Sequence, residues 1–174
     1  MYRILKQIAK TGIVTEPAPA TDERLREVGQ RLEAAILARF GRSLAIRHVD
    51  AGSCNGCELE IHACNSPYYN LERLGMRFVA SPRHADLLLV TGPVSANMET
   101  ALRRTYEATP EPKLVVAIGD CGCSGGVFGE SYASRGAVSR VLPVDVAVPG
   151  CPPRPIAIIQ GILTAISGKS AASR

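Results

Sequence analysis

With 174 residues, 46% of them hydrophobic and 21% charged, and a formal net charge of +4, the chain has the make-up of one globular domain large enough to bury a substantial core. It has no tryptophan, only 5% aromatic residues and no block of Lys or Arg, which excludes a base-stacking or strongly basic nucleic-acid surface. No apolar run approaches the roughly 20 residues that a membrane span requires.

The opening stretch, MYRILKQIAKTGIV, is basic, but Lys6, Gln7 and Lys10 interrupt its apolar residues. It therefore lacks the continuous core of a signal peptide, it has no twin-arginine pair, and a cytoplasmic location is expected. Tyr2, Ile4, Leu5 and Ile8 among Arg3, Lys6 and Lys10 form an amphipathic start, too short to anchor alone. Two readings of it stand: a flexible tail or clamp on another subunit, and a segment resting on a membrane arm or membrane surface.

Residues 11–21, TGIVTEPAPAT, read as a linker. Thr21 is expected to cap a helix opening with Asp22 and Glu23, whose charges suit its N-terminal dipole. Leu25, Val28, Leu32, Ala35, Ile36 and Phe40 then recur at helical spacing until Gly41 stops the run. The spacing predicts a surface helix packed on the domain.

From there the chain alternates. Strands are expected at Leu44–Val49, Arg77–Ala80, Asp86–Thr91, Leu114–Ile118 and Val144–Val148. Helices are expected near Cys57–Cys64, Ala96–Ala108 and Pro155–Ile166. DLLLVTG and KLVVAIG are almost continuously apolar, as in strands covered on both faces. Such alternation predicts an α/β fold, a flavodoxin-like doubly wound parallel sheet with an N-terminal helical extension. The expected organisation is an extension with its amphipathic helix over 1–42, an α/β domain over 43–168 and a disordered tail over 169–174.

Six cysteines in a reducing compartment point to metal or redox chemistry rather than stable disulfides. Cys54 and Cys57 follow the first expected strand, Cys121 follows LVVAIGD, and Cys151 follows the last strand in VAVPGCPPRP. The spacing is C-x2-C-x63-C-x29-C. Three strands thus deliver four thiols to their C-terminal ends, which in an open parallel sheet border the ligand-binding crevice. Both zinc and iron–sulfur clusters accept four thiolates. Structural zinc commonly uses two compact C-x2-C pairs, and only one is present here. Single cysteines in glycine- and proline-flanked loops favour a 4Fe–4S cluster, because glycines let backbone N–H groups approach the sulfides. Cys123 is a competitor of Cys121 for the third position, and Cys64 is expected to be a buried packing thiol.

The motifs GSCNGCELEI, SPRHADLLLVTGPV, GDCGCSGG and LPVDVAVPGCPPRP resemble the small subunit of group 4, energy-converting nickel–iron hydrogenases, a family that includes formate hydrogenlyase. That small subunit is homologous to the cluster-bearing 20 kDa (B) component of respiratory complex I. The resemblance covers about residues 43–166. Complex I-type chains carry two adjacent cysteines before the acidic helix; here Gly56 precedes Cys57 and the first thiol is Cys54, the hydrogenase-like form. Cys123 departs from the family pattern, where a small or polar residue is usual.

The resemblance implies one 4Fe–4S cluster on Cys54, Cys57, Cys121 and Cys151, proximal to an active site in a separate large subunit. Any nickel–iron centre would belong to that partner. It implies a hydrogenase-type large subunit, a ferredoxin-like iron–sulfur subunit and membrane-arm subunits as partners, and a peripheral place on the cytoplasmic face of the inner membrane. The chain would be an electron-transfer subunit of an oxidoreductase, not catalytic alone. A complex I-like quinone- or sulfur-reducing relative and a non-redox structural-zinc module are the competing functions.

Glu60 matches the family position of a proton relay, against the plain reading of a solvated helix carboxylate. Glu58 lies about 200° from it on a helix turning about 100° per residue, so both cannot face one crevice. His62 is expected to be a packing or interface residue rather than a redox-linked titrating group. Arg83 and His84 are expected to open a strand, as an ordinary polar entry or as cation contacts to a partner, and Arg154 either offsets cluster charge or is a surface residue at a helix start. The GDCGCSGG turn lacks the G-x4-G-K-[ST] spacing of a phosphate loop, so no nucleotide site is expected.

Overall fold

Leu87–Thr91 and Leu114–Ile118 are buried at every position, and this follows from their place at the centre of a sheet covered on both faces. In the computed structural model, which describes residues 2–12 and 22–168, five strands form one sheet. They are β1 (Leu44–Asp50), β2 (Met76–Phe78), β3 (Leu87–Thr91), β4 (Leu114–Ile118) and β5 (Val146–Val148). All pairings are parallel and the order is β2-β1-β3-β4-β5, the flavodoxin-like arrangement expected from the sequence.

Successive side chains of a strand point to opposite faces, and the core divides accordingly. Ile46, Leu87, Leu89, Leu114, Val116 and Ile118 pack with Leu32, Ile36, Ile61, Ile158 and Ile162 from α2 (Glu23–Phe40), α3 (Gly56–Cys64) and α6 (Pro155–Gly168). Val49, Leu88, Val90, Val115 and Ala117 face the other way, against Leu102 of α4 (Ala96–Ala108) and Val138–Leu142. α1 (Tyr2–Thr11) precedes α2 and buries none of its residues. Gly41, at φ 63°, closes α2 by donating its N–H to Leu37.

Several boundaries differ from the sequence reading. Asp22, not Thr21, caps α2, its side chain accepting from the Arg24 N–H; Thr21 lies outside the described residues, as do most of the linker and the tail over 169–174. Arg83 and His84 do not open a strand: Pro82–His84 form a 3-10 turn ahead of β3 in which both side chains are exposed. Asp86 falls outside β3 because its carboxylate accepts from the Ala45 N–H at 3.0 Å and from both terminal nitrogens of Arg42. Asp145 likewise accepts from the Val115 N–H at 2.7 Å, and β5 begins only after it.

Candidate functional site: a four-thiol cavity at the switch point

In a sheet of this order the chain leaves β1 and β3 in opposite directions, opening a crevice at their carboxyl ends. The loops after β1, β4 and β5 converge there. Together with Gly92, at the end of β3, they line a cavity of about 140 Å³ bounded by Cys54, Cys57, Cys121 and Cys151, with Ser53, Gly56, Asp120, Gly150 and Pro152 between them. Cys54 and Cys151 are exposed, whereas Cys57 and Cys121 are half-buried.

Each loop is fixed by a specific contact. The Asp50 carboxylate accepts from the N–H groups of Gly52 and Ser53 at 2.8 and 2.7 Å, turning the chain into the Cys54 segment. Asn55, at φ 71°, leads directly into α3 and sets Cys57 on its first turn. Cys121 does not sit in an open turn as the sequence suggested, but on α5 (Gly119–Ser124), a short helix closed by Gly125. The Asp120 N–H donates to the Gly150 carbonyl at 2.9 Å, and the Gly150 N–H donates back to the Asp120 carboxylate at 2.8 Å. This reciprocal pair locks the Cys121 segment to the Cys151 loop.

Two glycines keep the thiols clear. A Cβ on Gly119 would lie 2.6 Å from the Cys57 Sγ, and one on Gly126 would lie 2.8 Å from the Cys121 Sγ. Both glycines also have positive φ, 82° and 55°. At Gly56 a Cβ would meet the Cys54 Sγ at 3.6 Å, an ordinary contact, so its lack of a side chain is not a steric demand of the site.

Burial pushes the Cys57 thiol up to about 12, reinforced by Glu58 and by the other three cavity thiols. Cys121 is raised as well, by burial first and then by Cys151, Cys54 and Asp120. The raised thiols of Cys57 and Cys121 would lose that penalty by giving up their protons to a bound cation. Among the described residues no group of three or more His, Cys, Asp or Glu side chains is drawn together as around a single ion.

The leftover cysteines lie elsewhere. Cys123 points its Sγ to the Ala117 carbonyl at 3.9 Å and lines a separate cavity with Val144–Ala147. Cys64 is 1% exposed within the core, its Sγ 3.8 Å from the Pro155 carbonyl. Glu60 is half-buried outside the four-thiol cavity, and its charge bears on Cys64 and Tyr69. The buried carboxylate beside the site is Glu58, 3.6 Å from His48 Nε2, and neither of its oxygens has a hydrogen-bond partner among the described residues. Burial lowers the His48 imidazole below its ordinary range, against the pull of Glu58 and Asp50. His62 and Arg154 are exposed.

Sequence reasoning missed Asp50 and Asp120, and it noted Glu58 only to set it apart from Glu60. Asp50 was detectable, since an Asp before a small-residue turn often bonds the next backbone N–H groups. The Asp120–Gly150 pair depends on β4 and β5 being neighbours and leaves no local trace.

A flavodoxin-like sheet with cysteines at the carboxyl ends of three strands defines a class of redox-complex subunit. Residues 54–165 match the family described as NADH ubiquinone oxidoreductase, 20 Kd subunit, and the chain belongs to that family. It is 51% identical over 140 residues to a probable membrane-bound hydrogenase subunit, mbhJ, of Pyrococcus furiosus, covering 79% of this chain and 84% of that one. It is 42% identical over 151 residues to formate hydrogenlyase subunit 7 of Escherichia coli, covering 86% of this chain and 58% of that longer one. Among solved structures, a chain of the archaeal membrane-bound sulfane sulfur reductase superposes with a TM-score of 0.65 at 35% identity, covering 80% of this chain and 78% of that chain.

Proposed function

We propose that the chain is the electron-transfer subunit of a membrane-associated nickel–iron hydrogenase complex and that Cys54, Cys57, Cys121 and Cys151 hold its single 4Fe–4S cluster. The observation that carries this reading is the cavity in which these four thiols, from three separate loops, meet. Four thiolates suit zinc and an iron–sulfur cluster alike. The single C-x2-C pair joined by two lone cysteines from separate glycine- and proline-flanked loops favours the cluster.

A bound cluster would supply one-electron storage close to a partner's active site. The chain's own residues do the rest. Gly119 and Gly126 leave room beside two of the sulfurs, the Asp120–Gly150 pair holds two loops in register, and Cys57 and Cys121 are half-buried. The open side carries Cys54 and Cys151, and the loop beyond Gly126 exposes Val127, Phe128 and Tyr132. Exposed apolar side chains of this kind suit contact with a partner subunit. In this reading the large subunit carries the nickel–iron centre, a ferredoxin-like subunit relays electrons, and membrane-arm subunits hold the assembly on the cytoplasmic face of the inner membrane. Glu60, half-buried on α3, is the candidate proton carrier toward the partner. The likeness to the sulfane sulfur reductase favours a second reading, in which the same electron-transfer chain serves a sulfur-reducing partner.

Metal analysis and EPR of the anaerobically purified chain test the proposal. About four irons and four sulfides per chain and a reduced-cluster EPR signal are expected. Cys151→Ser is expected to abolish or convert that signal, and Cys64→Ser to spare it. One zinc without colour, or an unchanged signal in Cys151→Ser, would overturn the assignment.

A further inference from the structure

α1 differs from the other long helices in leaving its apolar face uncovered. α2 buries Val28, Leu32 and Ile36 against the sheet, whereas no residue of α1 is buried. Tyr2, Ile4, Leu5 and Ile8 are 77%, 64%, 59% and 60% exposed. At about 100° per residue, Ile4, Ile8, Leu5, Ala9 and Tyr2 fall on one continuous arc. Arg3, Lys6 and Lys10 gather in a sector of about 60° beside that arc, and the helix contains no acidic residue. None of these three cations forms an ion pair among the described residues.

A ten-residue helix is marginal by itself in water, so this segregation calls for a surface that engages both faces. A protein groove would account for the apolar arc without requiring three gathered cations. An anionic bilayer accounts for both, with acyl chains under the arc and headgroup phosphates beside the cations. Two relatives are named as parts of membrane-bound assemblies, and no helix among the described residues is long and apolar enough to cross a membrane.

We propose that α1 lies in the headgroup plane of an anionic bilayer and that the lipid surface itself, not a protein groove, covers Tyr2, Ile4, Leu5 and Ile8. The contact is reversible and supplementary, since three cations and a short apolar arc give a weak partition. It is independent of the thiol site, whose test reads EPR and iron content.

The test is co-sedimentation of the full chain with phosphatidylcholine vesicles, alone or containing about one-third phosphatidylglycerol. At low salt, binding to the anionic vesicles is expected to exceed binding to the neutral ones by about 100-fold, from about five-fold per cation. Lys6→Gln with Lys10→Gln is expected to remove about 25-fold of that preference. Leu5→Gln with Ile8→Gln, which leaves the charge unchanged, is expected to abolish anchoring. Both variants should melt like the parent chain, because α1 buries nothing in the domain. Failure of the parent chain to pellet with anionic vesicles would overturn the proposal. So would full binding by the Leu5/Ile8 variant, which would reduce the effect to general electrostatic attraction. Detachment of the variants from a partner subunit with vesicle binding intact would also overturn it, in favour of a protein groove.

Discussion

The sharpest test of the cavity's construction is Gly119→Ala beside Gly56→Ala. Both glycines adjoin the thiols, but only one is held to glycine by its surroundings. At Gly119 the backbone has φ 82°, and the new methyl would stand 2.6 Å from the Cys57 Sγ and 3.4 Å from the Gly150 carbonyl. The left-handed conformation costs an L-residue about 1 kcal/mol. Overpacking against a half-buried sulfur held on the first turn of α3 adds about 2 kcal/mol. About 3 kcal/mol in a domain of this size lowers the melting temperature by about 6–12 °C. The Cys57 sulfur must also move, so iron binding should fall further than stability does. At Gly56 the methyl would meet its nearest atom, the Cys54 Sγ, at 3.6 Å, and alanine favours the helix that starts there. Thermal unfolding of the iron-free chain and iron content after reconstitution separate the two effects. Unchanged melting and iron content in Gly119→Ala, or equal damage in Gly56→Ala, would refute the steric reasoning.

Two further outcomes follow from contacts around the site. Asp120→Ala removes the acceptor for the Gly150 N–H and frees the Cys121 segment from the Cys151 loop, a loss of about 1–3 kcal/mol that should appear as faster iron release to a chelator; Asp120→Asn, whose amide oxygen still accepts, should restore most of the retention. Burial pushes the Cys64 thiol up to about 12 from an ordinary 9.0, so the folded state keeps a proton that the unfolded chain loses. Its stabilising contribution is full below about pH 9 and declines as pH rises toward 12, and Cys64→Ala should flatten that decline in urea unfolding followed across alkaline pH.

The sheet was legible because its two central strands are unbroken apolar runs and because glycines and cysteines mark the carboxyl ends. β4 and α4 begin and end where the pattern placed them, at Leu114–Ile118 and Ala96–Ala108. The strand entries at Asp86 and Asp145 were not, since each carboxylate takes a neighbouring strand's N–H, a contact that exists only once the strands are side by side. For the same reason GDCGCS read as a turn although it is helical: Gly122 is buried, and a Cβ there would stand 3.6 Å from the Val90 carbonyl of a neighbouring strand, surroundings invisible locally. At the thiols, the pattern of cysteines after strands pointed to three loops, while the division between Cys121 and Cys123 depended on a helix that turns one inward and the other toward Val144–Ala147. Glu58 rather than Glu60 is the buried carboxylate next to Cys57, because α3 turns Glu58 toward His48 on β1 and away from solvent.

The cavity draws Cys54 from near the start of the sheet and Cys151 from beyond its last strand, and only the pairing of β5 with β4 brings them together. A ribosome still making β5 therefore holds a chain with three of the four cavity thiols and not the last. Contacts so distant in sequence form late, after the slower search that long-range strand pairing imposes. On the proposed ligation, cluster loading follows synthesis of nearly the whole polypeptide, and a truncation before Cys151 leaves a stub without the fourth thiol.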